Sequence, residues 1–387
     1  MRFRAISLFS LSAALLAGSA SATDVMVYFG VHGLTAADVR PGQPVPPTGI
    51  YAARFNDVTG KLTPLGLSVE LGRPTWLVAS PDKPIIYAAN ELGNDGKSDG
   101  QVVALTPDGD EGKLKILSQI DAKGGGTTHL TYDAKSHSLF AANYGNGQAV
   151  SFPVNADGTI GDAVTVDQHE GTGPSPRQKG PHAHGVTVDP SGQYVLSPDL
   201  GADRVFISRI DATTHQLTPA TTPFEAVTAG SGPRHLIFSP NGKFAYLNTE
   251  LTAELRVYAW DAAQGRLTSV QTLSTVAKDF YGKKSAGEIT LSKDGRFFYV
   301  SNRGEDTVAV YAVSAKTGKL TEIQRISTQG DQPWHFTIDP TGNWFLIANE
   351  ASSSVAVFKR DPKTGKLSPS PSTVDLPKPV NILFGPQ

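Results

Sequence analysis

The chain has 387 residues, of which 39% are hydrophobic and 18% charged, and its 34 Lys and Arg against 36 Asp and Glu leave a formal net charge of −2. That balance excludes a basic nucleic-acid footprint and a polybasic membrane anchor, and the hydrophobic content excludes a disordered chain. There is no cysteine, so disulfides, thiolate nucleophiles and Cys-ligated metals are excluded as well.

At the N-terminus, Arg2 and Arg4 precede a short apolar core from Ala5 to Ala17 and an Ala20-Ser21-Ala22 cleavage signature. Residues 1–22 therefore read as an export leader, with a mature start at Thr23 and a secreted or periplasmic destination. The apolar run is too short and too Ser-rich to span a bilayer, so no membrane insertion is expected after cleavage. Residues 23–387 read as a single domain.

Three strand-like segments follow, at Val25 to Gly30, Tyr51 to Phe55 and Leu62 to Leu71. The Pro-rich stretch from Val31 to Gly49 is expected to be a surface loop. From Arg73 onward a pattern recurs: RPTWLVASPDKPIIYAANEL, GTTHLTYDAKSHSLFAANYG from Gly126, PHAHGVTVDPSGQYVLSPDLG from Pro181, and GPRHLIFSPNGKFAYLNTEL from Gly232. It returns as SAGEITLSKDGRFFYVSNRG from Ser285 and QPWHFTIDPTGNWFLIANEA from Gln332. A period of roughly 50 residues with alternating apolar positions is the signature of a β-propeller.

The copy at Gly232 resolves into four strands: His235 to Ser239, Phe244 to Asn248, Leu255 to Trp260 and Leu267 to Leu273. The first pair is reversed at Pro240-Asn241-Gly242, strong turn chemistry. First strands begin near Trp76, His129, Gly185, His235, Glu288, His335 and Asn381. The seventh, Asn381 to Phe384, has no partners after it; the three N-terminal strands supply them. The expected fold is all-β: a seven-bladed propeller of four-stranded antiparallel blades, closed by pairing of the N- and C-terminal strands, which removes free sheet edges.

In such a disc the start of each first strand and the end of each second strand lie on one face. The repeat then selects two rings. The first is Trp76, His129, Gly185, His235, Glu288, His335 and Asn381, preceded by Thr75, Thr128, His184, Arg234, Gly287 and Trp334. The second is Asn90-Glu91, Asn143-Tyr144, Asp199-Leu200, Thr249-Glu250, Asn302-Arg303 and Asn349-Glu350. Packing positions would repeat as Val, Ile or Leu; these do not. Of only 9 His in the chain, His129, His182, His184, His235 and His335 fall at or beside first-strand starts. That concentration points to a polar mouth with titratable groups, although polar residues in narrow channels also brace neighbouring blades. The Asn residues ending the second strands fit a local backbone-capping role.

The segments P-H-x-H at Pro181, D-L-G-x-D at Asp199 and G-P-R-H at Gly232 carry a resemblance to the seven-bladed propeller lactonases, a family that includes bacterial propeller-type 6-phosphogluconolactonase and fungal carboxy-muconate cyclase. It extends over nearly all of the chain after the leader. The resemblance implies a site built from His182 or His184, Arg234, Glu250 and Arg303. The rings select His184, Arg234, Glu250 and Arg303 without it. These four are the candidate catalytic residues, with His182, His129, His235, Glu288, His335 and Asp199 as candidate substrate contacts.

The expected chemistry is hydrolysis of a small sugar lactone, with guanidiniums on the carbonyl oxygen and Glu250 or His184 as acid-base group. The expected partner is a small-molecule lactone or sugar acid, handled by a monomer or homodimer, with no nucleic acid and no cofactor. An export leader sits poorly with a sugar phosphate of central metabolism as substrate. Two other readings remain open: lactone formation from a muconate, and a non-catalytic propeller that binds a ligand or protein. A calcium-dependent reading would use Asn90, Asn143, Asn302 and Glu350; basic residues at the same mouth repel a cation, and no metal is expected. Trp334 and Tyr144 are candidates for an aromatic wall against a sugar ring.

Overall fold

The computed structural model describes residues 24–386; the leader assigned to residues 1–22 lies outside the described residues. Seven four-stranded antiparallel sheets form the blades. Their first strands are Pro74–Ala79, Thr127–Asp133, Thr187–Val188, Pro233–Phe238, Ala286–Leu291, Pro333–Ile338 and Pro379–Phe384, numbered here as blades 1 to 7. Blade 7 joins the C-terminal strand Pro379–Phe384 to Asp24–Val31, Gly49–Asn56 and Leu62–Glu70, the expected closure. Among the described residues no helix is long and apolar enough to cross a membrane.

The core lies between blades. Tyr246, Phe298 and Tyr311, from blades 4 and 5, share one buried cluster, and Phe345, Tyr299 and Phe358 another between blades 5 and 6. Each fully buried large side chain contributes about 1.5–3 kcal/mol. The copied T-G-K-L turns between third and fourth strands belong to the same packing. Gly318 has φ 69°, and a Cβ there would lie 2.5 Å from the Phe244 ring of the neighbouring blade. Only glycine fits that seat, and Gly365 repeats it on Phe297.

One irregularity is common to all blades. Pro233 pairs with Thr249 but Leu236 with Leu247, so Arg234 and His235 together oppose Asn248. The same one-residue shift occurs at Pro74/Trp76, Thr127/His129, Ala286/Ile289 and Pro333/His335. It recurs where Val31 pairs with Pro379 but Gly30 with Asn381. In blade 3 it separates the Ala183–Asp199 bridge from the Thr187–Leu196 pair. Each is a β-bulge, which inserts an extra residue and re-aims side chains. The bulge accounts for the double ring read from the sequence: two consecutive residues of each first strand sit at the channel where strict alternation would allow one.

Two details depart from expectation. The first strand of blade 3 is regular only over Thr187–Val188. Its partner strand carries Pro198, which has no N–H to donate, and Ser197 Oγ donates to the Gly185 carbonyl instead, at 2.9 Å. The loop after Val31 is exposed over most of its length, but its start turns inward. His32 N–H donates to Lys378 O at 2.9 Å, and only 8% of the His32 side chain is exposed.

Candidate active site

Glu250 lies just past the second strand of blade 4, Phe244–Thr249, where its N–H donates to Gly232 O at 2.7 Å. Its carboxylate is buried, 4% exposed, and three guanidiniums converge on it. Arg303 Nη2 is 2.7 Å from Oε2, Arg234 Nε 3.4 Å from the same oxygen, and Arg177 Nη1 2.5 Å from Oε1. Arg303 holds the equivalent position in blade 5, Arg234 is the bulge residue of blade 4, and Arg177 comes from the long connection into blade 3. Burial works against a charged Glu250, but Arg303, Arg177 and Arg234 outweigh it and hold the carboxyl well below its usual range. Three cations on one anion leave an excess of positive charge, suited to an oxyanion. Burial, then Arg303, lowers Arg234 to about 10, so it remains a cation at neutral pH.

His184, the bulge residue of blade 3, stands with Nε2 3.7 Å from Glu250 Oε2. Burial, followed by the nearby Arg234 and His235, pushes its pKa well below the usual imidazole value. The ring is therefore neutral at pH 7 despite the carboxylate. Arg234 Nη1 donates to Gly287 O at 2.7 Å and lies 3.0 Å from His235 Nδ1. His235 in turn is 3.2 Å from Glu288 Oε2. Burial pushes the Glu288 carboxyl up, against the opposing pull of His335 and Arg234.

Deeper in the channel, rings fill the space. Trp76 packs on His129 with centroids 4.0 Å apart and ring planes tilted by 31°, and meets His235 and His335 edge-on at 5.1 and 5.2 Å. His129 Nδ1 accepts from Val186 N–H at 3.4 Å and His335 Nδ1 from Ile382 N–H at 3.2 Å. Both bonds run to the next blade, so these two imidazoles lace blades together. Both are held neutral mainly by burial, His335 down to about 4.

The structure thus brings His184, Arg234, Glu250 and Arg303 into one cluster, with His235 and Glu288 directly behind it and His129 and His335 further in. His182 borders the cluster through Tyr144, whose ring meets His184 edge-on at 5.6 Å and whose hydroxyl accepts from Arg177 at 2.9 Å; Asp199 lies beneath it. His182 stacks on Tyr144 at 4.6 Å, its Nδ1 2.7 Å from the Tyr144 carbonyl. Asp199 is 0% exposed. It accepts from the backbone N–H groups of His182, Gly201 and Ala202 and faces His169 Nδ1 at 2.8 Å. That makes Asp199 a brace beneath a turn. The Asn side chains bond locally: Asn143 Nδ2 donates to Ala122 O and Asn302 Nδ2 to Thr275 O, each at 2.8 Å, and Asn90 Oδ1 accepts from Arg73 N–H at 2.7 Å. Among the described residues no group of three or more His, Asp or Glu is arranged to hold a metal.

Arg177 and His32 are mouth residues that were not selected from sequence. Arg177 lies outside the repeat, in a stretch with no register to read. His32 had a signal: Val31 pairs with Pro379 as Asn90 pairs with Pro74, which makes His32 the blade 7 member of the ring that contains Glu91, Glu250, Arg303 and Glu350. His32 Nδ1 is 3.3 Å from Glu350 Oε1 and Nε2 3.9 Å from Glu91 Oε2, and its ring meets Trp334 edge-on at 5.0 Å. The Arg303 guanidinium covers Trp334 at 4.4 Å. Arg177, Glu250, Lys283, Arg303 and Trp334 line an open pocket of about 500 Å³, large enough for a sugar-sized molecule.

Residues 44–384 match the family model described as "Lactonase, 7-bladed beta-propeller". The Bacillus subtilis protein named 6-phosphogluconolactonase is 33% identical over 344 residues, 87% of this chain and 94% of that one. Among solved structures, the periplasmic gluconolactonase of Pseudomonas aeruginosa superposes with TM-score 0.86 at 33% identity, over 94% of this chain and 99% of that one. A putative 6-phosphogluconolactonase from Bacteroides fragilis gives 0.82 at 32% identity, over 93% and 98%.

Proposed function

This chain belongs to the seven-bladed β-propeller lactonase family, and from that premise we propose that it hydrolyses a small sugar lactone at the mouth pocket. The observation that carries the reading is the convergence of three guanidiniums on buried Glu250 beside the neutral imidazole of His184.

In this mechanism the lactone lies in the pocket against Trp334, with its carbonyl oxygen toward Arg303 and Arg234. Their charge stabilises the oxyanion as water adds to the carbonyl carbon. His184 takes the proton from that water, and the tetrahedral intermediate then breaks its acyl–oxygen ring bond. The same imidazole returns the proton to the ring oxygen, giving the open hydroxy acid. Glu250, held ionised far below neutrality, is too weak a base for this task. It gathers the guanidiniums and orients His184, as the third member of a nucleophile–base–orienter set does.

An unphosphorylated lactone is favoured. The export leader read from residues 1–22 and the periplasmic gluconolactonase among the relatives support the same compartment, where sugar phosphates are not the expected substrate. The test is a pH-stat assay of the purified chain on gluconolactone, 6-phosphogluconolactone and a muconolactone, each with and without EDTA. The expected result is gluconolactone hydrolysis above the spontaneous rate that survives EDTA and is lost in His184→Ala and Arg234→Ala. No acceleration on any lactone would overturn the reading in favour of a binding propeller.

A further inference from the structure

Between the mouth pocket and the ring-filled channel lies a second, much smaller cavity of about 20 Å³, walled by Thr75, Glu91, His184, Arg234, Glu288 and Trp334 among others. Trp334 lines both spaces, and Glu250, in the wall of the larger one, touches His184 and Arg234 in the wall of the smaller. A volume of this size holds one water and nothing larger, provided polar partners surround it.

Those partners are present. Thr75 Oγ1, His184 Nδ1, Arg234 Nε and Glu288 Oε2 have no hydrogen-bond partner within the protein, and all four residues are more than nine-tenths buried. Arg234 Nε does lie near the Glu250 carboxylate and Glu288 Oε2 near the His235 ring, without hydrogen-bonding geometry. Native proteins rarely leave so many buried polar atoms unpaired around one space.

The set also has the right mixture. Arg234 Nε donates, Glu288 Oε2 accepts, and the Thr75 hydroxyl does either. Ionised Glu250 beside His184 Nε2 favours the tautomer with the proton on Nε2. The Nδ1 lone pair is then the free one in the cavity wall. Thr75 reaches the channel because it is the extra residue of the blade 1 bulge.

We propose that this cavity seats the hydrolytic water and that Thr75 and Glu288 position it against His184 Nδ1. The inference rests on the lactone-hydrolase reading. The water oxygen forms the new bond to the carbonyl carbon and its proton passes to His184 Nδ1. The acyl–oxygen ring bond then breaks and the proton goes on to the ring oxygen, so lactone and water give one hydroxy acid. Thr75 and Glu288 act through the water and are positioning residues.

The test compares Thr75→Val, Thr75→Ser and Glu288→Gln with the unaltered full chain. It reads kcat and KM on gluconolactone by pH-stat and gluconate binding by calorimetry. Removing the hydroxyl while keeping the shape should lower kcat about tenfold, the loss of one positioning hydrogen bond. KM and gluconate affinity should stay within about twofold, since the mouth pocket is untouched. Thr75→Ser should regain most of the rate, and Glu288→Gln should lower kcat with KM held. A Thr75→Val protein as fast as the unaltered chain would overturn the water seat and leave the hydrolase reading standing. A Thr75→Val protein that loses gluconate affinity along with kcat would overturn it too, by assigning the cavity to a substrate group. No lactone hydrolysis by the unaltered chain would bring down the hydrolase reading itself.

Discussion

Glu250 and Glu288 are both buried carboxyl groups, 4% and 5% exposed, placed by neighbouring blades of one repeat. Their protonation is pushed in opposite directions. At the mouth, Arg303, Arg177 and Arg234 overcome burial and keep Glu250 ionised. One layer deeper, burial prevails and the carboxyl of Glu288 is raised. Burial alone therefore says little about charge state; the number of guanidiniums within reach decides it. The channel is divided into a charged mouth that can bind and polarise, and a ring-packed interior of neutral imidazoles that closes the disc.

The sharpest way to break this division is Glu250→Ala. It leaves three guanidiniums facing one another in a buried site, which costs about 3–5 kcal/mol of stability. Urea unfolding should show that loss, and lactone hydrolysis should fall to the spontaneous rate. Next comes Arg303→Ala, which removes one proposed oxyanion partner while Arg234 and Arg177 still hold Glu250. kcat should drop about 10²-fold, with a much smaller shift in the urea midpoint than for Glu250→Ala.

The interior is probed by pH. His335 titrates at about 4 when folded against about 6.5 when unfolded. Between these values the unfolded chain binds more protons, so stability is complete above about 6.5 and is lost as pH falls toward 4. His129 and His235, also lowered, add losses of the same sign. Glu250 works in the same direction but lower, below the ordinary carboxyl range of about 4.5, because its folded pKa is depressed. Urea midpoints should therefore fall from pH 7 to pH 5, by at most about 1.4 kcal/mol per pH unit for each imidazole. In His335→Gln the slope should shrink by one such contribution; an unchanged slope would mean that His335 is not held neutral in the fold.

The smallest effect is expected at the rim. His32→Ala removes the imidazole whose hydrogen bond holds the Glu350 carboxyl low. The Glu350 resonance in a carboxyl NMR titration should move up toward its ordinary pKa, with hydrolysis reduced only a few-fold, as fits a partner about 1 kcal/mol in strength. A large loss of rate would place His32 in the catalytic set rather than on the rim.

Much of the molecule is legible in the chain because propeller order is periodic. The S-P-N-G-like turns locate each first and second strand, and counting from them selects His184, Arg234, Glu250 and Arg303 with no contact information. The same ruler, carried into blade 7, reaches His32. It fails at Arg177, which lies in a connection without register, and it assigns Asp199 to the mouth because ring position says nothing about depth. Blade 3 also departs from the pattern, since Pro198 interrupts the ladder that its neighbours complete.

What the sequence determined by itself is therefore what repeats: the seven blades, their closure by the chain ends, and the face on which the polar residues collect. Alternation and turn chemistry are local, and each copy states them again. Only the tertiary structure decided the bulges that double the inner ring, the arrival of Arg177 on Glu250, the opposite directions in which Glu250 and Glu288 are shifted, and the small cavity behind them. Those depend on distances of about 3 Å between residues from different blades, and in a buried site such distances set the electrostatics.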